Sequence, residues 1–223
     1  MREIVVDTET TGLDPKTGHR VVEIACLELL NHVPTGSHFW KYINPERDIP
    51  PEAFAVHGLS EAFLADHPPF PEIAAEMLAF IREDTLVIHN AGFDIGFLNA
   101  ELARIDQPPI PLTRAVDTVQ LARSKFPGAQ ASLDALCRRF EIDNSARTRH
   151  GALLDAELLA EVYLELVGGR QPEMVLAGRE DTESMAAAVE RPVRPPRPHA
   201  PSEAERAAHA SLVDTLKEPV WRR

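Results

Sequence analysis

A disulfide framework has almost no material in this chain. It carries two cysteines, Cys26 and Cys137, each inside an apolar segment, which fits buried free thiols in a reducing cytoplasm. Apolar runs long enough to span a bilayer are missing, so no membrane association is expected. The start of the chain enters a strand at once, with neither the basic leader nor the apolar core of a secretion signal. A surplus of positive charge is missing too: the formal net charge is −12. That disfavours tight, non-specific binding to a phosphate backbone, where charge neutralisation supplies most of the affinity. The deficit is local, because residues 1–169 hold 14 Lys and Arg against 26 Asp and Glu, whereas residues 170–223 hold nine of each. If such a chain works on nucleic acid, it should engage an end briefly or be held there by a partner.

What is present is enough for one sizeable core and an appendage, in 223 residues of which 44% are hydrophobic. Residues 2–7 read as a buried strand, and Val21 to Leu30 and Ser37 to Ile43 as two more. Turn signals between them (Asn31, then Pro34-Thr35-Gly36) suggest an antiparallel meander. Helical periodicity follows at 70–82, a short strand at 86–88, a helix at about 92–105 and a further strand near 115–116. More helices are expected at about 118–125, 131–139 and 151–167. Strands first, then strands alternating with helices, predict an α/β domain with a mixed sheet. Near Gly168-Gly169 the character changes. The segment Arg191–Pro201 contains five prolines and three arginines and should be an extended spacer. Beyond it, 202–216 has the pattern of one amphipathic helix with Ser202 as cap.

Several acids lie on faces where acids are unusual. The first strand ends in Asp7-Thr8-Glu9-Thr10-Thr11-Gly12, and strand alternation points Asp7 and Glu9 the same way. Asp94 precedes Phe97, Leu98, Leu102 and Ile105 at helical spacing. Asp155 likewise precedes Leu158, Leu159, Val162 and Leu166. Either aspartate alone reads equally well as a helix cap, since both fall in a first turn. Four such acids together are better explained by convergence on a divalent cation, Mg²⁺ or Mn²⁺, which prefers hard oxygen ligands. His150 lies five residues before Asp155, too far for a shared helix face. A loop histidine there could take a proton from a water beside the metal, and an exposed loop histidine is the competing reading.

These residues resemble the DEDD exonucleases, in the subgroup that carries a histidine. The segments DTETTG (7–12), EAFAVHG (52–58), VIHNAGFDIGF (87–97), SLDALCRRFEIDNS (132–145) and HGALLDAELLAEVYL (150–164) resemble its proofreading branch, over about 1–169. The resemblance implies an RNase H-like fold with a five-stranded mixed sheet flanked by helices, followed by a flexible C-terminal tail. It also implies 3′–5′ removal of nucleoside monophosphates from a DNA 3′ end, single-stranded or frayed at a mismatch, by two divalent cations. Carried over by position, Asp7, Glu9 and Asp155 hold one ion, Asp7 bridges to the second, and Asp94 supports that one. His150 is the general base. Thr10, Glu52 and His57, with Asp7, Glu9 and Asp155, meet the substrate.

In the tail, Gln171, Met174 and Leu176 (within 171–176) resemble a sliding-clamp-binding peptide in a Pro-rich linker, 170–201. The segment 202–223 loosely resembles a polymerase-docking segment, with Leu212, Val213, Leu216 and Trp221 as apolar anchors. A small accessory subunit is a further partner of some proteins of this type. The sequence leaves two other functions open: a 3′–5′ RNA exonuclease using the same five residues, and a catalytically idle adapter between polymerase and clamp. The tail argues against the first and the intact acid set against the second.

Overall fold

The computed structural model describes residues 1–145, 147, 149–169 and 200–215. The chain divides into two units, Met1–Met174 and Val175–Arg223. The first is built on a five-stranded sheet in the order β3-β2-β1-β4-β5, formed by β1 (Arg2–Thr10), β2 (Val21–Leu30), β3 (Val33–Tyr42), β4 (Thr85–Ile88) and β5 (Ala115–Asp117). The meander β1-β2-β3 is antiparallel, while β4 joins β1, and β5 joins β4, in parallel.

The hairpin between β2 and β3 differs from the expected one. Its turn is the pair Asn31-His32, both at positive φ (51° and 66°), as a two-residue primed turn requires. Pro34, Thr35 and Gly36 belong to β3 itself, where Pro34 faces Leu29 beside a register shift. β3 is an edge strand, so the missing proline N–H costs no ladder bond on the open side.

Strand alternation divides the apolar side chains between two layers. Ile4, Val6, Ile24, Cys26, Leu86 and Ile88 pack under α3 (Phe70–Ile81) and α4 (Ala91–Ala103). Val5, Ala25, Leu27, Leu29 and Val87 pack under α5 (Thr118–Lys125), α6 (Leu133–Phe140) and α7 (Ala152–Leu166). The expected stripes are there: Phe97, Leu98 and Leu102 of α4, and Leu158, Leu159, Val162 and Leu166 of α7, are all buried. Cys26 and Cys137 are buried free thiols.

Two short helices, α1 (Pro51–His57) and α2 (Glu61–Leu64), lie between the third strand and the helix at 70–82, where the sequence marks no element. Pro51 is the first helical residue of α1, a position whose N–H has no helical partner in any case. In the second unit, α8 (Glu203–Thr215) starts with a reciprocal cap. The Ser202 hydroxyl accepts from Glu205 N–H (3.3 Å) while the Glu205 carboxylate accepts from Ser202 N–H (2.8 Å). Val213 is buried and Leu212 exposed. Gln171, Met174, Leu176, Leu216 and Trp221 lie outside the described residues. No helix among the described residues is long and apolar enough to cross a membrane.

Candidate active site

The parallel strands β1, β4 and β5 end at one edge of the sheet, and the helices that bear the other two acids begin there. β4 pairs with β1 only over Glu3–Val5, whereas β1 continues along β2 to Thr10. The stretch holding Asp7 and Glu9 is therefore unpaired on its β4 side, which opens a notch at the sheet edge. Asp94 is the fourth residue of α4 and Asp155 the fourth of α7. Neither is a cap, because Asn90 and Gly151 hold those positions. Both acids are almost fully buried (3% exposed). Asp94 accepts a hydrogen bond from the Thr8 hydroxyl at 2.7 Å.

Crowding of these carboxylates shows in their acidities. Burial, then the charges of Asp94, Glu9 and Asp155, hold Asp7 well above the usual carboxylate range. Burial first, then Asp155, Glu23 and Asp94, push Glu9 up to about 8. Asp94 is pushed up to about 7, chiefly by burial. Asp155 goes the other way: burial would raise it, but the Arg147 guanidinium forked onto its two oxygens, with His150 beside it, outweighs that and holds it low.

His150 closes the group. One ligand atom from each of Glu9, His150 and Asp155 lies within 4.8 Å of the others. The His150 ring is half-exposed, with Nδ1 at 3.2 Å from Asp155 Oδ2. Its backbone N–H donates to Val56 O of α1 (3.2 Å), so the loop before α7 is tied to the short helix beside the notch. Hard carboxylate oxygens gathered in one place, three of the carboxyls kept from ionising freely, first by burial and, for Asp7 and Glu9, then by their acidic neighbours, fit a divalent cation site.

A cleft of about 570 Å³ adjoins the acids, lined by Glu9, Thr10, Gly12, Glu52, His57 and Phe93 among others. Each candidate substrate residue is thus near the site, and His57 is the most telling. Its Nδ1 accepts from Leu59 N–H at 3.0 Å, which leaves the proton on Nε2. That Nε2 is buried with no hydrogen-bond partner among the described residues, a donor left for something else.

Two contributors are not among the sequence-level candidates. Glu23 on β2 faces Glu9 across the ladder, and its carboxylate accepts from Ala152 N–H (3.1 Å) and from Trp40 Nε1 (2.7 Å). It fixes the first residue of α7 against the sheet and so fixes Asp155. A buried glutamate in the apolar run Val21–Leu30 was the available signal. Arg147, whose guanidinium bonds Asp155, sits in a loop with no periodicity to mark it.

Comparison with known proteins agrees with this geometry. A family model described as "Exonuclease" matches residues 4–163. The chain is 56% identical over 184 residues to DNA polymerase III subunit epsilon of Rickettsia prowazekii, covering 81% of this chain and 80% of that protein. It is 44% identical to the Escherichia coli protein of the same name, covering 99% of this chain and 97% of the other. Among solved structures, exonuclease X in complex with 5′-overhanging duplex DNA is 26% identical at a TM-score of 0.58, covering 74% of this chain and 90% of that one. E. coli exonuclease I in complex with a dT13 oligonucleotide has the same fold at 16% identity and a TM-score of 0.66, covering 75% of this chain and 41% of that one. The chain belongs to the exonuclease family and, within it, to the epsilon subunits of bacterial DNA polymerase III.

Proposed function

We propose that this chain is the proofreading 3′–5′ exonuclease of a replicative polymerase, and that it releases deoxynucleoside 5′-monophosphates one at a time from a DNA 3′ end. The observation that carries the reading is the meeting of Glu9, His150 and Asp155, with Asp7 feeling the charges of Glu9, Asp94 and Asp155, beside a cleft that holds a histidine donor with no partner among the described residues. Asp7, Glu9 and Asp155 would hold one divalent cation, Mg²⁺ or Mn²⁺, with Asp7 and Asp94 toward a second. When bound, such ions neutralise the scissile phosphate and acidify the attacking water.

The chain's own groups do the rest. His57 Nε2–H and Glu52 offer hydrogen bonds to the terminal nucleotide in the cleft, and the Thr10 hydroxyl, which donates to Gly12 O at 2.6 Å, stiffens the cleft wall. In the tautomer whose Nδ1–H faces Asp155 Oδ2, 3.2 Å away, the His150 ring would present a free lone pair on Nε2 able to take the water's proton. Positioning and preorganised charge supply most of the acceleration.

Residues 1–169 would form the exonuclease, 170–201 a tether with a clamp-binding peptide at 171–176, and 202–223 the docking segment for the DNA polymerase III alpha subunit. The sliding clamp and a small accessory subunit are further proposed partners. The acidic body suits this arrangement, since an enzyme delivered by its polymerase needs little affinity of its own for DNA.

The test is digestion of a 3′-mismatched duplex, a matched duplex and an RNA oligomer with Mg²⁺, using Asp7→Ala/Glu9→Ala as control. Monophosphate release that is fastest at the mismatch and absent in the control is expected. A preference for RNA would replace this reading with an RNA exonuclease, and no product from folded protein would leave the adapter.

A further inference from the structure

The loop that joins α6 to α7 brings a positive charge into the acids. The Arg147 side chain is only 9% exposed. Its Nε and Nη2 donate to Asp155 Oδ1 and Oδ2 at 2.5 and 2.7 Å. Nη1 donates to Asp134 Oδ1 at 2.8 Å, and Nη2 also donates to His150 Nδ1 at 2.7 Å. The fork therefore engages both oxygens of Asp155, the atoms a cation would use. A guanidinium has only N–H groups to offer, so its bond to Nδ1 places the imidazole proton on Nε2. In that arrangement His150 has no lone pair free on Nε2 to receive a proton.

Elsewhere the same fork serves as a plain brace. Arg20 donates to Glu101 Oε1 and Oε2 at 2.7 and 2.8 Å, tying α4 to the start of β2 through a carboxylate that is not a candidate ligand. Arg147 differs because its carboxylate partner belongs to the site and its third partner is the base.

We propose that Arg147 is an internal competitor for the cation at Asp155, a positioning residue that clasps Asp155 and His150 together and must release Asp155 before the ion can bind there. The inference rests on the proposed metal-dependent reaction. The clasp offsets part of the repulsion among the four acids as the chain folds, and it does so at the expense of cation affinity. Release of the guanidinium frees both Asp155 oxygens and restores the His150 tautomer in which Nδ1–H faces Asp155 and Nε2 accepts.

The test is Mn²⁺ binding to the full chain, read from the electron paramagnetic resonance of free Mn²⁺, with melting temperature in EDTA measured alongside. Arg147→Gln should bind Mn²⁺ about tenfold tighter than the unsubstituted protein, equivalent to about 1.4 kcal/mol. Arg147→Lys should fall between them, since it keeps the charge but loses the planar fork. The melting temperature in EDTA should drop in Arg147→Gln, and its rise on adding Mn²⁺ should be larger. If Arg147 only ordered the loop, both variants would bind Mn²⁺ equally or more weakly, and that result overturns the inference. Should Arg147→Gln fail to fold, Arg147→Lys and Asp134→Asn, which removes the outer anchor of the guanidinium, carry the same expectation of tighter binding. An unsubstituted protein that takes up no Mn²⁺ would overturn the proposed function as well, so the two failures are distinguishable.

Discussion

Raising the pH from about 6 to about 8 in EDTA should destabilise this protein, because the Glu9 carboxyl must then ionise against its neighbours. Glu9 is 8% exposed, and its carboxyl is pushed from 4.5 up to about 8 by burial and then by Asp155, Glu23 and Asp94. A carboxyl raised on folding keeps a proton that the unfolded chain has already lost. Its contribution is therefore most favourable below the unfolded value and drains away as the pH rises toward 8. Between pH 6 and 8 the linkage integral for Glu9 alone comes to about 2 kcal/mol. For a unit of this size that is roughly 4–8 °C in melting temperature. Asp94, pushed up to about 7, acts in the same sense. Burial lowers His57 and His89, and their contribution is lost as the pH falls, so they oppose the trend mainly at the acid end.

The comparison that isolates Glu9 is the unsubstituted protein against Glu9→Gln, melted in EDTA at both pH values. The unsubstituted protein should lose about 2 kcal/mol more than the variant. Saturating Mg²⁺ or Mn²⁺ should shrink the loss, because an ion binds the ionised form and stabilises the fold by mass action. Equal losses in the two proteins would refute the assignment of Glu9 to a crowded, charge-repelling site.

Other perturbations separate the roles of the remaining groups. Asp155→Ala should reduce turnover by about 10³-fold or more with the fold retained by circular dichroism, since it removes a charge that positioning cannot replace; a folded, fully active variant would contradict the ligand role. His150→Ala should lower kcat by about 10²–10⁴-fold while Mn²⁺ affinity in the same titration changes little. A comparable loss of affinity would make His150 a ligand instead. Deleting 202–223 should abolish co-elution with the polymerase subunit and leave exonuclease turnover unchanged; retained co-elution would rule out that docking assignment.

The acids were legible in the sequence because periodicity places them. Asp94 and Asp155 head apolar stripes that the structure buries, and Asp7 and Glu9 share a strand face. The antiparallel meander and the mixed sheet follow from the same patterns, whereas the strand order comes from the structure alone. α1 was hidden because Pro50-Pro51 reads as a helix breaker, although Pro51 is the one helical position where proline costs nothing. α2 is a single turn, too short for a periodic signal. Pro34 and Gly36 read as a turn because composition does not show that β3 is an edge strand, where both are tolerated. Arg147 was invisible for another reason. A loop arginine has no face to be wrong about, and only the fold brings it against Asp155, eight residues on.

Anomalous diffraction from crystals of the protein with Mn²⁺ and deoxythymidine 5′-monophosphate would locate the ions among the acids. Manganese peaks are expected among the four acids, one held by Asp7, Glu9 and Asp155 and a second toward Asp7 and Asp94, with the nucleotide in the cleft against His57. Manganese bound elsewhere, or Asp155 still forked to Arg147 with no ion beside it, would contradict the two-ion site.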